Sequence, residues 1–144
     1  MTSSLTRMVS RGLLVPILVV ALAILVKGYA NVGDGFAAGV VAALGLLLQM
    51  VAFGRDAVAD ALPIHWAPMV ALGGLALGVA VFVVPLLLGG DPLQHAPAPG
   101  VSPAHVGSLE LITAVVFDVA VFLLVLGTAV AIIDAIAAPG EGEA

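Results

Sequence analysis

Apolar side chains form four long, nearly unbroken runs along the chain, and most of the charged residues lie between them. A bilayer core about 30 Å thick is crossed by roughly 20 apolar residues in an α-helix, so each run is long enough to span a membrane. Each run ends at glycine or charged residues, which weaken a helix in lipid. The pattern predicts an all-α integral membrane fold, a four-transmembrane-helix bundle. Its helices are predicted at about residues 8–27, 35–53, 67–88 and 108–133.

The segments between and after these runs complete the predicted organisation. The third and fourth runs are joined by a proline-rich connection without a basic residue, which is typical of an extended, solvated loop. The last residues are acidic and lack apolar periodicity. We therefore predict a single membrane domain over 1–144, an exterior loop over 89–107 and a disordered tail over 137–144.

Basic residues predict the orientation of the helices. Arg7, Arg11 and Arg55 fall on one side of the predicted membrane and Lys27 on the other. The positive-inside rule then places both termini in the cytoplasm. A cleaved secretory signal in the first run is a weaker interpretation, because Lys27 would adjoin the cleavage site and three more spans follow. We expect a multi-pass protein of a prokaryotic cell (inner or plasma) membrane.

Composition excludes several classes of protein. The chain has 144 residues, of which 62% are hydrophobic and 9% charged, whereas soluble domains carry about 25% charged residues. The absence of cysteine excludes thiol catalysis, disulfides and cysteine-bound metals. The net charge of −5 argues against nucleic acid as a partner, because the phosphate backbone would repel the chain.

No pattern in the chain indicates an enzyme, a cofactor or a metal. It has no glycine loop of the Walker or dinucleotide type, and no serine stands in a Gly-x-Ser-x-Gly turn. His65, His95 and His105 are far apart and lack the spacing of zinc ligands. We therefore predict no catalytic residue, no metal site and no cofactor.

A carboxylate inside the fourth run is the most informative polar residue. Asp118 would cost about 2.5 to 3.5 kcal/mol in the middle of a membrane helix, so it should face protein or water. It is either an ion or proton site, or a buried carboxyl satisfied by Gln49, Thr113 or a partner subunit. Glu110, on the same predicted helix, would lie about 12 Å away and about 80° around, which excludes direct proton exchange. Asp118 and Glu110 are the candidates for an ion path.

The start of the second run combines a carboxylate with small residues. Asp34 lies between Gly33 and Gly35, where its side chain can cap free N–H groups and interact favourably with the helix dipole. Small residues at every fourth position mark helix contacts in lipid, where close packing drives association. Such residues are Gly35, Gly39 and Ala43 in the second run, and Gly74 and Gly78 in the third.

Three segments resemble the B subunit of the Mrp-type (Mnh or Pha) multisubunit monovalent cation/proton antiporters. They are residues 28–36 (GYANVGDGF), 47–54 (LLQMVAFG) and 116–122 (VFDVAVF). The resemblance extends from about Leu5 to Ile133. It implies an accessory membrane subunit of a sodium/proton antiporter complex, needed for assembly and lining part of the ion path. Sodium ions and protons would pass through the complex, whose large subunits resemble chains of respiratory complex I.

The chain departs from the family pattern at several positions. The family usually has histidine where this chain has Tyr29, and an unperturbed tyrosine titrates near 10, so Tyr29 could not replace a proton-carrying histidine at neutral pH. Val32 occupies a position where the family has proline, and Asp34 one where it has glycine. The family often has glycine at the position of Ala120 and tyrosine at that of Phe122. The matched helix-start and packing candidates are Gly33, Asp34, Gly35, Phe36, Gly39, Phe117 and Gln49.

Other functions remain open at this point. The same resemblance fits the equivalent subunit of a membrane-bound hydrogenase or related respiratory complex. A purely structural membrane scaffold is an alternative of another class. A self-contained four-helix exporter is disfavoured, because we expect an acidic residue in the first helix of such a transporter and this helix has none.

Overall fold

The computed structural model of the chain describes residues 3–28, 33–89, 104–106, 109–111 and 113–138. Within these residues four helical segments are long and apolar enough to cross a membrane, which confirms the predicted four-span helical fold. The elements are α1 (Ser4–Lys27), α2 (Gly35–Phe53), α3 (Arg55–Ala61), a 3-10 turn (Ile64–Trp66), α4 (Ala67–Leu87), β1 (Ala104–Val106), β2 (Leu109–Leu111) and α5 (Thr113–Ala137).

The four long helices form a row. α1 packs on α2, α2 packs on α5, and α5 packs on α4, while α1 touches α5 only slightly. The inner helix α2 is buried along much of its length, whereas the outer helices α1 and α4 bury few residues. The predicted bundle is therefore an open row, in the order α1, α2, α5, α4, with two largely exposed outer helices.

Small residues allow the close packing along this row. Gly39 of α2 lies against the Phe122 carbonyl and the Val125 side chain of α5. Gly74 of α4 lies against the α5 backbone near Ala120 and Leu124. Apolar side chains gain little by leaving lipid for a helix interface, so such close approach of backbones supplies the packing energy instead.

The helix ends differ from the predicted ones for local reasons. α1 begins at Ser4 rather than near residue 8, because the Ser3 hydroxyl caps it by accepting a hydrogen bond from the Thr6 N–H at 3.1 Å. α5 begins at Thr113 rather than at residue 108, and it continues to Ala137, past the predicted end at 133. Most of the predicted exterior loop, 90–103, and the last six residues of the tail, 139–144, lie outside the described residues.

A short antiparallel hairpin explains the late start of α5. Strand β1 pairs with β2, in the register that places His105 opposite Glu110. The apolar residues of β2 directly precede the fourth helix and lengthen its apolar run, so the sequence pattern predicted them as part of that helix. Glu110 consequently lies in a strand, and its predicted place on the same helix as Asp118 is wrong.

The connection between α2 and α4 contains a short amphipathic helix that lies outside the four predicted helices. Gly54, at a φ of 92°, separates α2 from α3 in a backbone conformation that side chains disfavour. Val58 of α3 is buried among apolar residues of α2, α4 and α5, while Asp56 and Asp60 are exposed. α3 therefore has one apolar face toward the helices and one charged face.

An ion pair fixes α3 to the far end of α5. The Arg55 guanidinium donates to both carboxylate oxygens of Asp134, at 2.7 and 3.3 Å, and contacts Asp56 at 3.5 Å. The hydrogen bond to Asp134 raises the pKa of Arg55 above its already high ordinary value, although burial opposes the charge. The guanidinium therefore stays charged throughout the physiological pH range.

Candidate functional site at the start of helix α5

Asp118 lies near the side of the protein at which α1 ends and α2 and α5 begin. It is the sixth residue of α5, about 7.5 Å along the axis from Thr113, and only 4% of it is exposed. The sequence predicted it well inside the fourth run. The hairpin before α5 shortens the helix, so the carboxylate lies level with the end of α1 and the start of α2.

Three glycines surround this carboxylate, and we call them the glycine notch: Gly28, Gly33 and Gly35. The Gly33 N–H donates to Asp118 Oδ2 at 3.1 Å, and the φ of Gly33 is 120°, a conformation that favours glycine. A Cβ on Gly28 would lie 2.9 Å from Oδ2, and one on Gly35 would collide with the Asp118 carbonyl. The notch lets the end of α1 and the start of α2 approach α5 directly.

A second carboxylate and a lysine lie beside the notch. Asp34 Cβ and Asp118 Oδ2 both lie within 3.3 Å of the position that a Gly28 Cβ would take. The Lys27 ammonium is 4.0 Å from Asp34 Oδ2, with the lysine side chain mostly exposed. Two carboxylates and one ammonium therefore meet at this end of the protein. Such a group can exchange protons or attract cations from water.

The prediction that Asp34 caps α2 is wrong. The residue stands at the N-cap position but makes no capping hydrogen bond with its side chain. Its backbone is already helical, with φ −82° and ψ −7°, whereas a capping residue takes extended angles that aim its side chain at the free N–H groups. Asp34 instead lies toward Lys27.

Gln49 does not satisfy Asp118, contrary to one of the predicted alternatives. Its buried side-chain amide donates to the Ser10 carbonyl of α1 at 2.7 Å. α2 and α5 run in the same direction, because Gly35 lies against Asp118 while Met50 shares a cluster with Val130. Gln49 is about 21 Å from Gly35 along α2, so it lies near the other end of that helix, far from Asp118.

The remaining candidates are dispersed around the site. Gly39 is buried one turn along α2 from the notch. Phe36 is 60% exposed, whereas Phe117, 36% exposed, lines a cavity between α4 and α5. Glu110 lies in β2. Among the residues the structure describes, no three histidine, aspartate or glutamate side chains converge as a metal site.

The glycine notch itself was missed by the sequence reasoning. The sequence did contain a clue to the notch, because residues 28–36 and 116–122 are two of the segments that resemble the antiporter subunit. The structure brings glycines of the first segment together with Asp118 of the second. Helical periodicity within one segment gives no contact between segments. Only the packing of α2 on α5 shows that the glycines serve the aspartate.

Four apolar spans, with a cluster of charged groups where α1 ends and α2 and α5 begin, define a small multi-pass membrane protein with an ionisable site. The comparison with known families is more specific. Residues 5–131 match the family described as a domain related to the MnhB subunit of Na⁺/H⁺ antiporter, and the chain belongs to this family.

Individual relatives agree with this assignment. The chain is 35% identical over 111 residues to the B subunit of the Na⁺/H⁺ antiporter of Alkalihalophilus pseudofirmus, covering 76% of this chain and 75% of that protein. It is 32% identical over 127 residues to the corresponding B subunit of Bacillus subtilis, covering 88% and 85%. The predicted family is confirmed, and it consists of transporter subunits.

A third relative is much longer than this chain. The A/B subunit of a probable K⁺/H⁺ antiporter of Rhizobium meliloti is 35% identical over 114 residues. The match covers 77% of this chain but 11% of that protein. A segment similar to this chain thus forms a small part of a larger polypeptide, whose name joins an A and a B component.

Proposed function

We propose that the chain is an accessory membrane subunit of a multisubunit sodium/proton antiporter complex in the plasma membrane of a prokaryote. It would be needed for assembly of the complex, with both termini in the cytoplasm. Family membership and two relatives named as B subunits of Na⁺/H⁺ antiporters support this proposal. The joined A/B name of the Rhizobium relative supports a neighbour of the A type.

The small number of buried ionisable groups supports an accessory role. Asp118 is the only buried carboxylate among the residues that the structure describes. A proton needs a series of linked ionisable groups or waters to cross about 30 Å of hydrocarbon. Partner subunits must supply the rest of such a path, and the open row leaves α1 and α4 available for contact with them.

Asp118 is the residue that we propose to line part of the ion path. The observation that supports this role is its burial in the glycine notch beside Asp34, at one end of the membrane region. The Gly33 N–H holds the carboxylate in place, and the adjacent carboxylate and ammonium give this end of the protein groups that bind cations or protons. Asp118 thus both holds Gly33, just before α2, against α5 and lies where an ion would enter.

Asp118→Asn tests this role with little change in packing. Asparagine keeps an oxygen that accepts from Gly33 but can neither ionise nor carry a proton. We expect normal amounts of assembled complex, slower sodium/proton exchange per complex in membrane vesicles, and an altered pH profile. Asp60→Asn, which changes an exposed carboxylate at the other end, is the matched control and should leave exchange unchanged.

A structural role alone would give a different result. Normal exchange per assembled complex in Asp118→Asn would reject the ion path and leave the carboxylate as an anchor. Asp118→Leu should lower both assembly and exchange, because it removes the part-buried hydrogen bond from the Gly33 N–H, worth about 0.5–1.5 kcal/mol.

The partners that accompany the chain test its place in a complex. Purification from its own membrane should bring several hydrophobic antiporter subunits with it. Recovery with nickel and iron–sulfur subunits would instead identify a hydrogenase-type complex. Sodium/proton exchange by the isolated chain in liposomes would contradict the accessory role.

A further inference from the structure

A cavity of about 300 Å³ lies between α1, α2 and α3, near the start of α1 and the end of α2. The glycine notch lies at the other ends of these two long helices. The wall of the cavity is mostly apolar and includes Leu14, Phe53, Ala57 and Ala61, together with the polar Gln49. Arg11 is the one charged side chain that lines it. The cavity thus combines a cationic group with apolar walls, and nothing in the proposed ion path uses it.

Arg11 has no ion pair or hydrogen-bond partner for its guanidinium within the part of the chain that the structure describes. The nearest acidic groups on the elements around the cavity are on α3, where Asp56 contacts Arg55 and Asp60 is exposed. A charged group within a membrane helix is costly unless it pairs with an opposite charge or reaches water. Arg11 is exposed, so its guanidinium can reach the water and headgroups at the membrane boundary, and the cavity beside it has room for an anion.

The position of the cavity matches the boundary between headgroups and hydrocarbon. α3 follows α2 after the break at Gly54, and its charged face is exposed while Val58 is buried. This arrangement is typical of a helix at the membrane surface. Leu14 lies about 4.5 Å deeper along α1 than Arg11. With α3 at the membrane surface, the Arg11 cation would lie at the level of the phosphates and the apolar wall at the level of the acyl chains.

Two other cavities lack this combination. A cavity of about 200 Å³ near Leu46 and Leu126 and one of about 250 Å³ near Gly78 and Phe82 are lined by apolar residues and glycine, without a charged side chain. Either could accommodate hydrocarbon alone. Of these three cavities among the described residues, the one at Arg11 alone offers both a cation and apolar walls to an anionic group with an attached apolar chain.

We propose that this cavity binds one anionic phospholipid, with its phosphate on Arg11 and the upper part of an acyl chain against Leu14 and Phe53. A carboxylate from another protein would neutralise the guanidinium but would leave the deeper apolar space unfilled, whereas a phospholipid fills both parts. Basic pockets between membrane helices bind anionic headgroups in this way. The proposal concerns this chain alone and does not depend on sodium/proton exchange.

Photolabelling in lipid nanodiscs tests the site. The full chain, with the subunits that purify with it, is placed in phosphatidylcholine containing a small fraction of phosphatidylglycerol whose acyl chain carries a diazirine. We expect adducts on residues lining the cavity, and fewer from an equally labelled phosphatidylcholine. Arg11→Gln should lower phosphatidylglycerol labelling about fivefold, the effect of one basic residue near an anionic lipid. Arg7→Gln, one turn earlier and outside the cavity wall, should leave labelling unchanged.

A second variant separates occupancy from charge. Ala57→Phe fills the cavity without changing the net charge and should remove the adducts while the complex is recovered in normal amounts. Equal labelling by the two lipids, or labelling that Arg11→Gln does not change, would overturn the proposal. Loss of a partner subunit from Arg11→Gln with lipid labelling intact would also overturn it, by assigning the cavity to a protein contact.

Discussion

Gly35 and Gly12 are glycines of membrane helices in opposite surroundings. A Cβ at Gly35 would meet the Asp118 backbone, whereas one at Gly12 has no atom within 4 Å. We expect Gly35→Ala to destabilise the protein by about 1–3 kcal/mol, because α2 and α5 must move apart. Gly12→Ala should be neutral or stabilise α1 by up to about 1 kcal/mol. Thermal unfolding of the two variants in the same detergent measures the difference.

The outcome distinguishes close packing from a general preference for glycine. Equal effects of the two substitutions would show that the contact of Gly35 with Asp118 does not limit the approach of α2 to α5. A loss confined to Gly35→Ala should also weaken the bond between Gly33 and Asp118, since both glycines lie in the same notch. Faster proteolysis between α1 and α2 would report that loss.

The importance of Asp118 could be predicted from the sequence, but its partner could not. A carboxylate in an apolar run is costly wherever it lies, and hydropathy alone shows that cost. The hydrogen bond from Gly33 joins residues 85 positions apart, and no local pattern encodes it. Gln49 cannot be the partner of Asp118, because α2 and α5 run in the same direction. Gln49 lies near the end of α2, whereas Asp118 lies near the start of α5.

At the scale of elements, the Arg55–Asp134 pair should determine how firmly α3 is held. Arg55→Gln should loosen α3, and Arg55→Lys should do so partly, because an ammonium cannot make the paired bonds of a guanidinium. Asp134→Asn added to Arg55→Gln should cost little more. Asp56→Asn is the control, since Asp56 is 91% exposed and lies 3.5 Å from the same arginine. Thermal unfolding of these variants, together with Asp134→Asn alone, gives a double-mutant cycle.

The pH dependence of this contact follows from the raised pKa of Arg55, which the hydrogen bond to Asp134 causes. A raised pKa in a basic group means that its stabilisation is complete below the ordinary arginine value. The stabilisation is lost only as the pH rises through the higher value, in strong alkali. Titration of Arg55 should therefore not change stability between about pH 6 and 9, and a loss in that range confined to proteins with Arg55 intact would contradict this.

The long helices could be predicted because each is longer than the window that a bilayer imposes. The short elements could not. α3 has seven residues, three of them charged, so its single buried side chain at Val58 gives no detectable period. The hairpin before α5 depends on pairing between β1 and β2, and the apolar residues of β2 look like the start of the next span.

For the whole molecule, orientation is the prediction that cysteine labelling can test directly. The chain has no native cysteine, so single substitutions give unambiguous signals. With both termini inside, Ser3→Cys and Asp60→Cys should be protected from an impermeant reagent in intact cells, and Leu88→Cys should be labelled. All three side chains are exposed, so protection would reflect the membrane rather than burial.

The reverse labelling pattern would show that the arginine-rich end faces outward. In that case the notch at Asp118 would open to the cytoplasm, and the anionic lipid at Arg11 would belong to the outer leaflet. Labelling at every position would instead indicate that the cells are permeable, and the non-reactive native chain controls for background.

The order of helices in the row has a consequence for biosynthesis. α5 is the last span of this chain to leave the ribosome, yet it lies between α2 and α4, which have little contact with each other. While the hairpin segment is being translated, α1 and α2 can already pair, but α4 has no helix of this chain to pack on. Insertion of α5 forms both missing interfaces together and brings Asp118 into the notch in the same step. Completion of the fold is therefore a single late event, and a ribosome that stalls before residue 113 leaves a helix pair and a lone span.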